Sequence, residues 1–179
     1  CLLTGELAPI AILHPSIKGI RGAQSSGASL VSFNAPASES YGNDSGQGKN
    51  APVSELAAFK YGAALNYLIT EGGHIQYVAD TALVYWAEDA ETVYQDIFDM
   101  VLTGSEKQIT DQELSSIMKQ IGTGGSINIK GIDVSYDNPF YVLGIAPNAA
   151  RLSVRFFLQS EFGEMLRNLD EHNRRLEIV

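Results

Sequence analysis

The residues best suited to chemistry lie in one glycine-rich segment, residues 14–33, which reads HPSIKGIRGAQSSGASLVSF. Its candidate contact residues are Lys18, Arg21, Gln24, Ser25 and Ser26. Glycine allows positive φ angles and the close approach of a partner to the backbone, so such a segment suits an anion or a strand of nucleic acid. The alternative interpretation is an irregular loop that leads into a strand.

The glycine spacing of this segment raises the question of a phosphate-binding P-loop. Gly22 and Gly27 have the separation that the motif requires, but Ala28 stands where the motif has its lysine. A β-like run follows where the motif needs a helix N-terminus, so the segment lacks the two main sources of positive potential for a phosphate. The sequence therefore excludes a P-loop.

The single cysteine, Cys1, suggests a second chemistry. An N-terminal cysteine acts as a nucleophile with its own α-amine as base in N-terminal nucleophile hydrolases, and Arg21 would then bind a substrate carboxylate. The alternative is an ordinary strand residue. One cysteine excludes an internal disulfide and a multi-cysteine zinc site. The three histidines have no metal-ligand spacing and are interpreted as loop or surface residues, so we expect no metal and no cofactor.

Length and composition predict one globular domain over residues 1–179, with 45% apolar residues and no run near the ~20 apolar residues of a membrane span. The formal net charge of −9 argues against a nucleic-acid-binding module with a broad basic face. The first fifty residues nevertheless balance their charges, and the acidic excess lies mostly in residues 55–113. A local cationic contact near the glycine-rich segment is compatible with this distribution.

Hydrophobic periodicity predicts an α+β fold, with a mixed, largely antiparallel sheet covered by helices and an RNase-H-like topology as the alternative. The predicted strands are residues 1–3, 10–13, 30–33, 75–78, 82–86, 127–129, 132–136, 141–146 and 152–158, and the predicted helices are 52–69, 89–102, 110–121 and 160–178. The first of these helices is expected to face inward with Leu56, Phe59, Ala63, Leu65 and Leu68. Residues 34–50 are predicted to form an irregular loop.

Aromatic and basic residues outside the segment have two interpretations each. Phe33, Tyr41 and Tyr61 are close to it in sequence and are candidates for stacking on unpaired bases. The aromatic residues within strands are expected to pack in the core; these are Tyr85, Trp86, Phe140, Tyr141, Phe156 and Phe157. Arg151 and Arg155 share one strand face, and we expect them to pair with the acidic helices rather than with phosphate.

Several long segments resemble one protein family. They read CLLTGE, HPSIKGIRGAQSSGASLVSFN, NAPVSELAAFKYGAALNYL, ALVYWAEDA and GIDVSYDNPFYVLGIAPNAARLSVRFFL. Together they resemble the Csd-type large subunit of the type I-C (Dvulg) CRISPR Cascade effector, in the family order and through the end of the chain. Family members are several times longer, so the resemblance implies an internal portion of one, which fits a sequence that starts at Cys1 instead of methionine.

The resemblance implies a cytoplasmic, non-enzymatic role in a crRNA-guided surveillance complex. Implied partners are other Cascade subunits, crRNA, target DNA and a recruited helicase-nuclease. In such complexes the protein reads a short PAM and the shape of the backbone, while base pairing with the guide reads the target sequence. The resemblance implies that the subunit contributes to recognition of the target DNA and its PAM, to R-loop stabilisation or to subunit assembly. The hypothesised DNA or subunit contacts are Lys18, Arg21, Gln24, Ser25, Ser26 and Asn34. The N-terminal cysteine hydrolase and a purely structural interaction domain remain the alternatives.

Overall fold

The computed structural model describes residues 1–33, 46–89, 91–104, 111–121, 125–129 and 131–176. The strands in this part of the chain are β1 (Ser16–Ile17), β2 (Ala28–Ser29), β3 (Ile75–Val78), β4 (Thr81–Ala87), β5 (Ser126–Ile129), β6 (Ile132–Ser135), β7 (Pro139–Asn148) and β8 (Arg151–Glu161). The helices are α1 (Glu55–Thr70), α2 (Val93–Thr103), α3 (Asp111–Ile121) and α4 (Phe162–Leu176), and a short 3-10 helix covers Gln47–Asn50.

Six strands form one sheet in the order β1-β2-β8-β7-β4-β3, and β5 and β6 form a separate pair. Strands β1 and β2 pair antiparallel, with Ser16 opposite Ser29, and β3 and β4 pair antiparallel, with Ile75 opposite Val84. Strands β2 and β8 run parallel and meet at one register pair, Ser29 with Arg151. Helices with a mixed, mostly antiparallel sheet confirm the predicted α+β class. This one-pair parallel contact is too short to support the RNase-H-like alternative.

The chain forms two compact units. Unit 1 comprises Cys1–Val84 and Gly144–Phe156, and unit 2 comprises Tyr85–Leu143 and Phe157–Val179. The division falls within β4, β7 and β8, so each of these strands contributes residues to both units. Unit 1 contains six of the 12 Lys and Arg residues and six of the 21 Asp and Glu residues, whereas unit 2 contains the other six cations and 15 carboxylates. The whole formal net charge of −9 therefore belongs to unit 2.

Helix α1 begins at a side-chain cap and buries a stripe of small and aliphatic residues. Ser54 is the N-cap, and its hydroxyl accepts a hydrogen bond from the Ala57 amide at 3.3 Å. The buried residues of the helix are Ala58, Gly62, Leu65 and Ile69. A Cβ atom at Gly62 would lie 2.2 Å from Cγ of Pro15. The missing side chain thus lets the segment before β1 pack directly on the helix.

The predicted position of α1 is confirmed, but its predicted inward face is partly wrong. Leu56 is 62% exposed and Phe59 is 68% exposed, although periodicity assigned both to the core. The helix carries two apolar stripes, and the one with the smaller side chains is buried because Pro15 can approach it closely. Leu56 and Phe59 lie on the other stripe.

The predicted hairpin of residues 1–3 and 10–13 is wrong. These residues form turns and a single bridge, and their backbone pairs with the chain just before α1 instead. The Leu2 amide donates to the Pro52 carbonyl and the Ala11 amide donates to the Val53 carbonyl, both at 2.9 Å. The predicted strand 30–33 is also absent from the described residues, since β2 ends at Ser29.

An aromatic cluster forms the core of unit 2. The ring centroids of Tyr85 and Phe98 are 4.8 Å apart, those of Phe98 and Phe140 are 4.9 Å apart, and those of Phe140 and Phe162 are 5.2 Å apart. The Tyr85 hydroxyl donates to Oδ1 of the buried Asp99 at 3.0 Å. The cluster joins β4 and β7 to α2 and α4, so it covers one face of the strands in this unit. The predicted core positions of Tyr85 and Phe140 are confirmed.

The predicted strand pair 141–146 and 152–158 is confirmed by the neighbouring strands β7 and β8. Helix α2 begins four residues later than predicted, at Val93 rather than at Asp89. The Asp89 carboxylate instead accepts a hydrogen bond from the side-chain amide of Asn138. The capping residue predicted for α3, Thr110, lies outside the described residues.

Replacing Gly62 with alanine is expected to lower the free energy of unfolding by about 1–3 kcal/mol, because the new methyl group collides with the rigid ring of Pro15. Helix propensity alone predicts the opposite sign, a gain of roughly 1 kcal/mol. Urea denaturation measures the change in the free energy of unfolding. The matched control is Ala63→Gly at the next, exposed position of the helix, which measures helix propensity without a packing change. An increase in stability for Gly62→Ala would contradict the close packing of α1 on Pro15.

Replacing Tyr85 with phenylalanine is expected to destabilise the protein by about 1–3 kcal/mol, because the buried Asp99 carboxylate loses a hydrogen-bond donor. The same change at the solvent-accessible Tyr141 is expected to alter the free energy of unfolding by less than about 0.5 kcal/mol. Equal effects at the two positions would show that the Tyr85 hydroxyl does not support the core.

Candidate nucleic-acid interface

Two buried isoleucines fix the glycine-rich loop to unit 1. Ile17 is fully buried and Ile20 is 5% exposed, so the chain between and after them runs along the surface. Gly19 lies between the two isoleucines with φ of +80°, and a Cβ atom there would be 2.9 Å from Cγ2 of Ile69. The loop therefore touches α1 through its backbone, which requires glycine at this position.

Tyr77 of β3 holds the loop at Arg21. Its hydroxyl accepts a hydrogen bond from the Arg21 amide at 3.0 Å and donates to the Gly19 carbonyl at 3.3 Å. The guanidinium carbon of Arg21 lies 4.2 Å from the centroid of the Tyr77 ring, a cation–π arrangement. One side chain thus positions both the backbone and the cation of the loop.

Asn66 of α1 holds the neighbouring part of the loop. Its Oδ1 accepts a hydrogen bond from the Lys18 amide at 2.8 Å, and its Nδ2 donates to the Ser16 carbonyl at 3.1 Å. Both side-chain contacts are to backbone, so the ammonium group of Lys18 is left at the surface. Together Asn66 and Tyr77 determine the course of the loop, and the only charged group that they contact among its described residues is the guanidinium of Arg21 on the Tyr77 ring.

The structure places five of the six predicted contact residues on this loop, and all five are exposed: Lys18, Arg21, Gln24, Ser25 and Ser26. The Gly27 amide donates to the Gln24 carbonyl at 2.9 Å, which closes a turn over the polar run. The sixth predicted residue, Asn34, lies outside the described residues. Within the described ranges, neither Lys18 nor Arg21 belongs to an ion pair. Both cations are therefore accessible to a partner.

His14 is neither a simple surface residue nor part of a metal site. Its Nδ1 lies 2.7 Å from the hydroxyl of Tyr61, and both side chains are half-buried. Burial raises the pKa of Tyr61 above its ordinary value, so the hydroxyl stays protonated at neutral pH and can donate to Nδ1. Searching the described residues reveals no group of three or more His, Cys, Asp or Glu side chains arranged to bind a metal ion.

Cys1 is held by contacts of its own. Its sulfur accepts a hydrogen bond from the Ser54 amide at 3.2 Å, and its α-amine donates to the Glu6 carbonyl at 2.8 Å. Cys1 also packs against the small apolar cluster of Ala11, Val53 and Ala58. Its sulfur therefore lies at the cap of α1, where it contributes to packing.

Arg155 pairs with a turn residue and not with the acidic helices. Its guanidinium lies 3.3 Å from a carboxylate oxygen of Asp80, in the turn between β3 and β4. Both side chains are more than half exposed, so this pair contributes at most about 1 kcal/mol. The expectation that the strand arginines bind the acidic helices is wrong for Arg155.

A second surface, in unit 2, was missed by the sequence analysis. Trp86, Tyr141 and Phe157 stack on one another on the strand face opposite the aromatic core. The ring centroids of Trp86 and Tyr141 are 5.3 Å apart at an interplanar angle of 15°, and those of Tyr141 and Phe157 are 6.1 Å apart at 20°. Phe157 is 52% exposed, so its predicted place in the core is wrong. The same holds for Phe156, which is 38% exposed.

Glu88 adds a negative charge to this aromatic surface. Its Oε2 accepts a hydrogen bond from the Tyr141 hydroxyl at 3.4 Å. Desolvation and the neighbouring carboxylate both raise the pKa of Tyr141 above its ordinary value, so the phenol remains neutral in the physiological range.

Strand alternation would have identified the two faces of β4, but the sequence does not show which face the helices cover.

The chain matches the family described as CRISPR-associated protein (Cas_Csd1) over residues 1–179. It is therefore a CRISPR-associated protein. More particularly, it belongs to the Csd1 family, which agrees with the Csd-type resemblance found in the sequence. No curated protein matches the chain. Among the helices of the described residues, none is both long and apolar enough to cross a membrane.

Replacing Tyr77 with phenylalanine is expected to speed hydrogen exchange of the Arg21 amide by about five- to tenfold, because a hydrogen bond worth about 1 kcal/mol is removed. Exchange measured by NMR checks this, with Tyr67→Phe on the exposed side of α1 as the control. Unchanged exchange at Arg21 would mean that Tyr77 does not hold the loop.

Proposed function

We propose that this chain is a non-catalytic portion of the large subunit of a type I-C crRNA-guided surveillance complex, in which Lys18 and Arg21 on the loop each contact a phosphate of the target DNA. Membership of the Csd1 family supports the CRISPR setting. One observation carries the assignment of the loop as a DNA contact. Lys18 and Arg21 are exposed on a loop that is fixed to unit 1, and neither forms an ion pair with a described residue.

The charge distribution between the two units supports a local contact. Unit 1 is formally neutral, whereas unit 2 contains 15 carboxylates and six cations. A phosphate is repelled by a strongly acidic surface, but it can approach a neutral one that presents two cations. Lys18 and Arg21 then provide positive potential, while Gln24, Ser25 and Ser26 provide hydrogen-bonding groups that suit a sugar-phosphate backbone.

The anchoring of the loop also favours binding. Ile17, Ile20, Asn66 and Tyr77 fix the backbone before any partner arrives. A fixed loop loses less conformational entropy on association than a mobile one, so a given set of contacts yields a higher affinity. A contact of this kind can support R-loop stabilisation beside the base pairing that reads the target sequence.

The absence of catalysis is part of the proposal. An N-terminal nucleophile requires the α-amine to take the proton of its own thiol. Here the sulfur accepts a hydrogen bond from the Ser54 amide, and Cys1 packs against the apolar cluster of Ala11, Val53 and Ala58, so the thiol is engaged at the cap of α1. Covalent labelling of Cys1 by an amide-mimicking electrophile at neutral pH would favour the hydrolase alternative instead.

Replacing both Lys18 and Arg21 with alanine in the full-length subunit is expected to weaken binding of the assembled complex to target DNA. Each lost phosphate contact lowers the slope of log K against log salt by about one, so the double variant should lower it by about two. Titration of labelled target duplex at several salt concentrations measures both quantities.

The matched control is Lys60→Ala with Lys119→Ala, which removes two exposed cations from α1 and α3. If this control changes the slope as much as the loop variant does, the effect is one of net charge and the loop assignment is wrong. If the loop variant loses subunits from the complex and retains the salt slope, the loop belongs to a subunit interface and the structural alternative is correct.

A further inference from the structure

The stacked surface of unit 2 consists of aromatic side chains that no element of the described residues covers completely. Strands β4, β7 and β8 turn Tyr85 and Phe140 toward the buried core, and they turn Trp86, Tyr141 and Phe157 to the opposite face. Phe157 is more than half exposed, and Trp86 and Tyr141 are partly exposed. Three aromatic rings in one stack at the surface of a protein mark a binding surface rather than a random exposure of apolar groups.

Carboxylates border this surface, and Arg155, two residues before Phe157 on the same strand face, is already paired with Asp80. Glu88 follows Trp86 at the end of β4 and contacts the Tyr141 hydroxyl. Glu161, four residues after Phe157 on β8, lies on the same strand face by alternation and is exposed. The parts of the strands that belong to unit 2 contain no Lys or Arg: residues 85–87, 139–143 and 157–161. An incoming partner therefore meets aromatic rings beside two carboxylates, Glu88 and Glu161, while the nearest cation in sequence on this strand face, Arg155, is neutralised by Asp80.

This combination selects the chemistry of the partner. Aromatic rings alone would also suit unpaired nucleobases, but the carboxylates and the excess of nine negative charges in unit 2 repel the phosphates that accompany them. An arginine side chain fits both components, because its planar guanidinium stacks on an aromatic face and forms bidentate hydrogen bonds with a carboxylate. Cation–π contacts of this kind already occur among the described residues, with Arg21 over Tyr77 at 4.2 Å and Arg167 over Tyr136 at 5.9 Å.

We propose that the surface formed by Trp86, Tyr141, Phe157 and Glu88 binds an arginine-bearing segment of a neighbouring protein subunit. The guanidinium lies against the stacked rings and its N–H groups donate to the Glu88 carboxylate. This inference rests on the proposed role of the chain in a multisubunit complex, and it concerns a surface that the DNA contact does not use.

The test places the photo-cross-linking residue p-benzoylphenylalanine at position 157 of the full-length protein in the assembled complex, followed by mass spectrometry of the cross-linked peptide. The expected product joins position 157 to a segment of another subunit that contains arginine. A product with nucleic acid, a product with a segment that lacks arginine, or no product would each overturn the inference.

A second cross-linker at Gln24 separates this inference from the proposed function. If position 24 cross-links to DNA and position 157 gives no protein product, the surface assignment is wrong and the proposed function stands. If both positions give nothing in the purified complex, the proposed role has failed and the inference falls with it.

Charge variants then test the role of Glu88 directly, with the cross-linked segment as a synthetic peptide. Glu88→Gln is expected to weaken binding by about tenfold, because a bidentate ion pair with the guanidinium becomes a hydrogen bond to a neutral amide. Exchanging the arginine of the peptide for lysine is expected to weaken binding similarly, since the ammonium group cannot stack as a plane. Glu171→Gln on α4 is the matched control; an equal loss there, or no loss at Glu88, would overturn the assignment.

Discussion

The burial of Ile17 and Ile20 is the interaction on which the candidate interface depends. These side chains are three positions apart, and both are taken into the core of unit 1, so the chain between them must run along the surface of α1. Gly19 provides the backbone conformation that this path needs, and Tyr77 and Asn66 satisfy the loop amides. The polar side chains of the loop are consequently exposed because of apolar packing nearby, together with the backbone hydrogen bonds to Asn66 and Tyr77.

The division of charge between the units gives the chain two surfaces of different electrostatic character. A neutral unit that presents cations on a fixed loop is compatible with an anionic backbone. An acidic unit that presents stacked rings beside a carboxylate is compatible with a cationic protein segment. Net charge alone would have classified the whole chain as unsuited to nucleic acid, and the structure shows that this quantity averages over two dissimilar regions.

Local patterns in the sequence predicted the elements well and the faces of those elements poorly. The α+β class, helix α1 and the β7–β8 pair were predicted because turn residues and periodicity are properties of short segments. The exposure of Leu56, Phe59 and Phe157 was not predicted, because a helix or a strand can be apolar on two sides and only tertiary packing determines which side is covered. The loop residues were found from their polarity, whereas the stack of Trp86 and Tyr141 joins positions 55 residues apart and has no local signal.

The position of Trp86 has a practical consequence for spectroscopy. It is the only tryptophan in the chain, and its indole lies within the exposed aromatic stack instead of in the hydrophobic core. Its fluorescence emission therefore responds to changes at that surface before the core of unit 2 has opened. The core cluster of Tyr85, Phe98, Phe140 and Phe162 contains no tryptophan, so tryptophan emission follows the surface while far-ultraviolet circular dichroism of the helices packed on that core follows unfolding in the same sample.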